Sequence, residues 1–408
     1  MSTRPASLLT LSVLALLLAC GGGSSSSPAT PSGPTAPSGL AAQGSLGHIQ
    51  LSWSTDASDT GYNLYRSSDG TTWTKLNAAV LTATAYDDAI ASPAGDGVVY
   101  TYRVTGLAGS AESSPSTTVR CMHGTRLPAS NAAGFTTVAA NSPYVAEGTV
   151  TVNGGNLVVD TGTALFVADH ATVDLEAGDG TTAGRLWVKG LLRVTATTAA
   201  PATFTAHKVG GTLANNEGFA IWFDNAVSFN PADDSGCLLQ NATITNLASG
   251  NVYGGFSILN CGPRLHDLHA TANASSGASY IFLFGGASGI LDHCEFNHMA
   301  LSVQTDLHGG TFGMSSCRFR GGYYAIAFVG VASPAVDAGQ ISGNDFDGTP
   351  SAYLYNISGT TDVPIGGNFW NGGSGTPPLP SETTGLTTVH FDFTTALSSA
   401  PSGAGPSW

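Results

Sequence analysis

LLQNATI (238–244), RLHDLHA (264–270), ILDHCEF (290–296), GMSSCRF (313–319), QISGNDF (340–346) and PIGGNFW (364–370) recur at a nearly constant interval and can be laid over one another. Each carries an apolar residue first: Leu239, Leu265, Leu291, Met314, Ile341 and Ile365. Three positions on stands a small, apolar or amide residue: Ala242, Leu268, Cys294, Cys317, Asn344 and Asn368. Two positions further is another packing residue: Ile244, Ala270, Phe296, Phe319, Phe346 and Trp370. The first positions are spaced by 26, 26, 23, 27 and 24 residues. A period in the twenties indicates a solenoid, because one such unit cannot bury its apolar face without its neighbours.

The units read as strands. Apolar residues sit two or three apart in short runs, and Gly, Ser, Asn and Asp interrupt every run. No window sustains a helical stripe, and no unit has the several fixed leucines of a leucine-rich repeat. The segments resemble rungs of the pectate-lyase-like right-handed parallel β-helix superfamily, and GGNFWNGG (366–373) resembles the Asn-aromatic-Trp segment that closes such arrays. Upstream, Gly184, Leu186 to Val188, Gly190, Leu192 to Val194 and Pro201 to Thr205 resemble a recurrent opening of bacterial surface β-helices, with GFAIWF (218–223) as the strand that follows. The resemblance implies a fold and fixes no chemistry.

The 408 residues carry 42% hydrophobic and only 10% charged residues, with 53 glycines, which suits a β-rich protein with many turns. The net charge is −14, with 13 Lys and Arg in all, so the basic surface that nucleic-acid binding needs is missing. Residues 1–19 hold Arg4 and the apolar run Leu8 to Leu18, too short to span a bilayer, and read as a signal peptide. LLAC (17–20) resembles a bacterial lipobox, which implies cleavage before Cys20 and acylation of that residue. The alternative is ordinary secretory cleavage. A Gly/Ser/Pro tether (20–38) follows and cannot bury a core. Gly21 is not the Asp that retains lipoproteins at the inner membrane in enteric bacteria. The expectation is therefore a lipid-anchored protein of the bacterial cell envelope, at the outer membrane or cell surface.

Residues 39–121 alternate as half-buried strands and resemble a fibronectin type III domain: Trp53 matches the core tryptophan, GYNLYRSSDG (61–70) the third strand and turn, and Tyr100, Tyr102 and Val104 a strand near the end. Tyr100 is the candidate for the corner tyrosine whose hydroxyl bonds back to backbone. The expected organisation is a signal peptide (1–19), the tether, the fibronectin-like domain (39–121), a right-handed parallel β-helix (122–396) and a flexible tail (397–408). The fold class is all-β.

Four cysteines fall into two pairs one rung apart, Cys237 with Cys261 and Cys294 with Cys317. One strand spacing, about 4.8 Å, lies within the reach of a disulfide, and export would permit one. Stacks of small buried thiols are the alternative. Between the two inward columns, Thr243, His269, Glu295, Arg318, Asp345 and Phe369 should face outward. Glu295, Arg318 and Asp345 would form an ion-pair ladder on the surface or, as in lyases of this fold, line a substrate groove. His266, Asp267, His269, Asp292, His293 and His298 gather on two adjacent rungs, and His266, Asp267 and His293 are candidate metal ligands. Asp179, Asp233 and Asp234 in loops leave room for Ca2+, without the spacing of a calcium solenoid. No cofactor fingerprint is present.

The polygalacturonase-like Asn-Thr-Asp, Gly-His-Gly and Arg-Ile-Lys segments are absent, and bases are few: Lys208, Arg264, Arg318 and Arg320. The favoured function is structural, adhesive or binding, toward a glycan or another surface protein. Tyr253, Tyr323, Tyr324, Tyr353 and Tyr355 are candidates for stacking on sugars. The alternative is a polysaccharide lyase or glycoside hydrolase acting on an acidic glycan, with Asp292, Arg318 and Asp345 as candidate catalytic groups.

Overall fold

The structure, a computed structural model, describes residues 33–177, 184–249, 255–273, 279–304, 307, 312–321, 324–328, 339–346, 352–356, 363–365, 367–370, 383–384, 391–392 and 397–407. Cys20, the rest of the segment 1–32, Asp179, Tyr253 and Tyr323 lie outside the described residues. Of Tyr324, Tyr353 and Tyr355 only the backbone is described.

The chain is all-β. The first unit is a sandwich of two antiparallel sheets. One contains Ala41–Ser45, His48–Ser52 and Ala85–Ala89, and the other Gly61–Ser67, Thr74–Lys75, Tyr100–Ala108, Ala111–Glu112 and Val119–Cys121. Alternation sends Ile49, Leu51, Trp53, Tyr62, Leu64, Tyr102 and Val104 into the space between the sheets. The edge of the Trp53 ring meets the Tyr62 ring, with centroids 5.5 Å apart. The buried tyrosine near the end is Tyr102, not Tyr100. Tyr102 is fully enclosed and its hydroxyl donates to Asp88 Oδ2 at 2.8 Å, whereas Tyr100 is half-buried and lies beneath the Arg66 guanidinium. The tyrosine two residues along the same strand face is thus the anchored one, and its partner is a carboxylate rather than backbone.

The described strands after the sandwich form a right-handed parallel β-helix with three sheet faces. The first face stacks Tyr144–Ala146, Ala164–Val167, Leu191–Val194, the start of Leu238–Leu247, the start of Arg264–Ala272, Ile290–Asp292 and Gly313–Ser315. The second stacks Thr149–Val152, Thr172–Glu176, Ala202–His207, the later parts of the same two long strands, Glu295–Asn297, Arg318–Arg320, Asp345–Phe346 and Phe369–Trp370. The third stacks Leu157–Val159, Arg185–Val188, Ala220–Asp224, Gly255–Leu259, Ser279–Phe284 and Met299–Val303.

The register of the repeat follows the sequence alignment. Leu239, Leu265, Leu291 and Met314 are successive partners, as are Ile244, Ala270, Phe296, Phe319, Phe346 and Trp370. The last four form an interior column with ring centroids 5.0, 5.2 and 4.6 Å apart, each pair contributing about 0.5–1.5 kcal/mol beyond burial. Beside it, Asn344 and Asn368 are fully buried. Asn344 Oδ1 accepts from Cys317 N at 3.0 Å, and Asn368 Oδ1 from Asn344 N at 3.1 Å and from its Nδ2 at 2.9 Å. Such a ladder satisfies backbone groups at a bend that has no strand partner. The bend between the first two faces is made by one left-handed residue per rung: Asn241, Asp267, His293, Ser316 and Gly343, with φ of 50, 51, 55, 53 and 70°. These are mostly residue types whose short polar or absent side chain tolerates that conformation.

The sandwich sits against the first rungs. Cys121 packs into its core and the next residue, Met122, into that of the solenoid. His123 is fully buried with Nε2 3.0 Å from Asp96 Oδ1, and Arg120 pairs with Asp169. Residues 397–407, read from sequence as a flexible tail, have a defined course. Leu397 N donates to Asn368 O at 2.9 Å, Gly405 N to Ser316 O at 2.8 Å, and Ser407 N to Asp267 Oδ1 at 3.0 Å. The segment therefore descends the outside of the stack across successive rungs.

The four paired cysteines are free, buried thiols. Cys294 and Cys317 are parallel neighbours that project side by side into the core rather than toward each other, so the spacing that permits a disulfide lacks the direction. Cys237 and Cys261 are not opposite each other, because the register sets Leu238 against Arg264. Three of these thiols are also engaged locally: Cys294 Sγ donates to Asp292 O at 3.3 Å and Cys317 Sγ to Ser315 O at 3.4 Å. Cys237 Sγ lies 3.4 Å from Leu192 N, which donates to it.

Candidate functional site

The outward column of the second face holds Thr243, His269, Glu295, Arg318, Asp345 and Phe369 in register. Arg318 Nε donates to Asp345 Oδ2 at 3.0 Å, and Arg318 Nη1 lies 3.6 Å from Glu295 Oε2. The ladder thus forms, but it is not open at its far end. Asp345 is 2% exposed and Phe369 3%. The C-terminal segment crosses here: a side chain at Gly405 would come within 3.3 Å of Arg318 Nη1.

Asp292, the third catalytic candidate, belongs to a separate cluster at the bend. Arg264 grips its carboxylate in a fork, Nε to Oδ1 at 3.2 Å and Nη2 to Oδ2 at 2.9 Å. His266 Nδ1 is 2.8 Å from Oδ2 and His293 Nδ1 3.5 Å. The two imidazoles meet edge to face at 5.6 Å. Burial would raise the Asp292 carboxyl, but the His266 and Arg264 hydrogen bonds and charges outweigh it and hold the group well below the usual range. The hydrogen bond to Asp292 raises His266 in turn, against the opposing effect of burial. Asp267 lies 3.4 Å from His266 Nε2 and takes both donors of Ser407. His269 faces outward on the second face, and His298 Nδ1 lies 2.9 Å from Gly321 O, away from the cluster. Of the loop acids, Asp234 pairs with Arg193 at 2.8 Å and Asp233 Oδ1 accepts from Ser235 N at 3.1 Å.

A different site lies on the third face. Strand alternation buries Leu186 and Val188, Ile221 and Phe223, and so turns Trp187 and Trp222 outward on neighbouring rungs. Their rings meet edge to face at 6.2 Å. The Lys189 ammonium lies 4.2 Å from the Trp187 centroid and the Arg185 guanidinium 4.1 Å from that of Trp222. Trp187 Nε1 donates to Asp224 Oδ2 at 3.1 Å. On the next rung the column carries only Ser257, and on the rung after that the rings of Phe282 and Phe284 stack at 5.5 Å. The small residue between large rings leaves a cleft of about 210 Å³, lined by Trp222, Phe223, Asp224, Ser257, Leu259 and Phe284. Its lining is almost wholly apolar. The polar exceptions are Asp224 at the rim and Ser257, which is 6% exposed and whose Oγ has no hydrogen-bond partner. A larger depression of about 700 Å³ on the three-stranded sheet of the sandwich is shallow and lined by Ala42, Gln50, Ser52, Ala85, Tyr86 and Asp87.

The aromatic residues singled out from sequence are tyrosines; Trp187 and Trp222 are not among them. The signal was available: in RLWV (185–188) and AIWF (220–223) the residues flanking each Trp are apolar, and period two places the Trp on the opposite face.

No family model and no curated protein matches the chain. Among solved structures, a Fn3-like protein from Clostridium thermocellum is similar over 22% of this chain and 95% of its own, at 26% identity and a TM-score of 0.19. Pectate lyase PelI from Erwinia chrysanthemi is similar over 88% of this chain and 100% of its own, at 10% identity and a TM-score of 0.18. A β-1,2-glucanase from Parabacteroides distasonis is similar over 23% of this chain and 14% of its own, at 28% identity and a TM-score of 0.20. The architecture rests on the strand pairings above: a fibronectin type III-like sandwich followed by a parallel β-helix.

Proposed function

We propose that this chain is a lipid-anchored cell-envelope protein, acylated at Cys20, whose solenoid binds a neutral glycan in the aromatic cleft of its third face. The observation that carries the reading is Ser257: a buried hydroxyl with no partner, at the floor of an apolar cleft walled by Trp222 and Phe284. Leaving such a group unsatisfied costs about 1–3 kcal/mol, and a ligand that hydrogen-bonds to it recovers that cost. Apolar walls with a few convergent polar groups are the usual make-up of a ligand site.

Shape and charge narrow the ligand. The strands bearing Trp222 and Phe284 are two spacings apart, roughly 9.5 Å. Phe284 stands in register with Asp224, two residues along from Trp222, so the two rings flank the cleft diagonally with Ser257 on the strand between them. A pyranose presents apolar C–H faces to the rings and hydroxyls to Ser257. The Asp224 carboxylate at the rim and the net charge of −14 oppose a uronate. Arg185 and Lys189 lie over the indole rings.

The alternative, an acidic-glycan lyase or hydrolase using Arg318 and Asp345, has less support. Those groups are bonded to each other at 3.0 Å, and Asp345 is enclosed. Migration of the chain through native gels containing neutral or acidic polysaccharides tests the proposal. Retardation by a neutral polysaccharide is the expected result. Retardation by acidic polymers alone, with unsaturated products released, would replace it with the lyase reading.

A further inference from the structure

The cluster at the bend between the first two faces has a geometry its structural role does not require. The bend needs a residue that tolerates left-handed backbone, and Asn241, Ser316 and Gly343 meet that need on neighbouring rungs without an imidazole. His293 adds a ring whose Nδ1 is buried and has no hydrogen-bond partner. Its 3.5 Å approach to Asp292 Oδ2 is too long for a hydrogen bond.

We propose that His266, Asp292 and His293 form a binding site for a divalent transition metal ion, with Zn2+ as the expected occupant. One ligand atom from each residue lies within 4.8 Å of the other two. The distances from Asp292 Oδ2 to His266 Nδ1 and His293 Nδ1, 2.8 and 3.5 Å, bracket the separation of about 3.3 Å between two ligands held tetrahedrally at about 2.0–2.1 Å from zinc. Two imidazoles and one carboxylate select zinc, copper or nickel over magnesium or calcium, which take oxygen ligands. The ion replaces the proton between His266 Nδ1 and Asp292 Oδ2, and that proton leaves to solvent.

The surroundings suit this occupant. Asp267 Oδ2 stands 3.4 Å from His266 Nε2, the position from which a carboxylate orients a metal-bound imidazole. Asp267 is held by Ser407 from the C-terminal segment. Arg264 does not exclude the ion: a carboxylate offers about four lone-pair sites, and Oδ2 keeps its guanidinium bond while taking the metal. The His293 side chain is 42% exposed, so its ring lies at the surface end of the cluster.

The test titrates the untagged full chain with Zn2+ alone, in competition with a chromophoric chelator, and records the visible spectrum of the Co2+ form. One equivalent should bind, and the Co2+ spectrum should be that of a four-coordinate nitrogen/oxygen site. His266→Gln and His293→Asn should each weaken binding at least ~10-fold, and Asp267→Asn about 10-fold, the range for outer-shell partners. Asn at 293 keeps a residue suited to left-handed backbone, so that variant should fold with unchanged thermal stability in the absence of metal. His48→Gln, in the sandwich, should bind as the parent does. Absence of equimolar binding, or binding that His266→Gln and His293→Asn leave intact, would overturn the proposal.

Discussion

Ser407 donates to both oxygens of the Asp267 carboxylate, through its backbone N–H to Oδ1 and its hydroxyl to Oδ2, each at 3.0 Å and across 140 residues of sequence. The contact fastens the end of the chain to a rung near the middle of the repeat. Asp345 and Phe369, which alternation points outward, are enclosed on the face this segment crosses.

Removing residues 397–408 should therefore lower the urea midpoint and raise amide exchange along Arg318–Arg320 and Asp345–Phe346. Ser407→Ala removes one hydrogen bond to a charged acceptor and should cost about 1.5–3 kcal/mol. Unchanged exchange after truncation would mean that the segment does not shield the ladder.

Ser257 separates stability from function. Replacing an unsatisfied buried hydroxyl by a methyl removes its desolvation cost, so Ser257→Ala should be neutral or stabilising by about 1 kcal/mol. Glycan affinity should fall in the same variant. Thermal melts and gel retardation on the same samples check both halves, and a destabilised variant with full binding contradicts both.

Asn344→Ala should be severe. It strips the acceptor from Cys317 N and the donors to Met314 O, Ser342 O and Asn368 Oδ1. Orphaned buried groups cost about 1–3 kcal/mol each, so a loss of at least about 3 kcal/mol in chemical denaturation is expected.

The thiols set an alkaline limit. Burial raises Cys121 to about 11 and Cys237 to about 12, above the usual value of about 8.5 of an unfolded thiol. Between those values the unfolded chain binds fewer protons than the folded one, so stability is full below about pH 8.5 and declines as pH rises toward 11–12. Iodoacetamide at pH 8 should leave the native thiols unmodified and label them all after unfolding. Rapid native labelling of Cys237 would contradict its burial.

The solenoid was legible because its interior columns repeat in one chemical class: Leu239 to Met314 on one side and Phe296 to Trp370 on the other. Exposed positions carry no such constraint. Trp187 and Trp222 lie on third-face strands outside the aligned segments, so only their local period-two pattern, not the repeat, marks them as outward. The course of 397–407 was illegible because Gly, Ser and Pro signal a loose tail, while its contacts are made by backbone N–H groups and a single serine hydroxyl, with no repeating side-chain pattern. The geometry around Asp292 was only partly legible. His266 and His293 were singled out, but their convergence on Asp292 follows from the left-handed bend at residue 293, which a strand reading does not contain.

Retardation of the full chain in gels containing a neutral polysaccharide, compared with Trp222→Ala, tests the central claim most directly. The parent should be retarded, and Trp222→Ala should lose at least ~10-fold in affinity with an unchanged melting temperature. Equal retardation of parent and variant would contradict a glycan site in the third-face cleft.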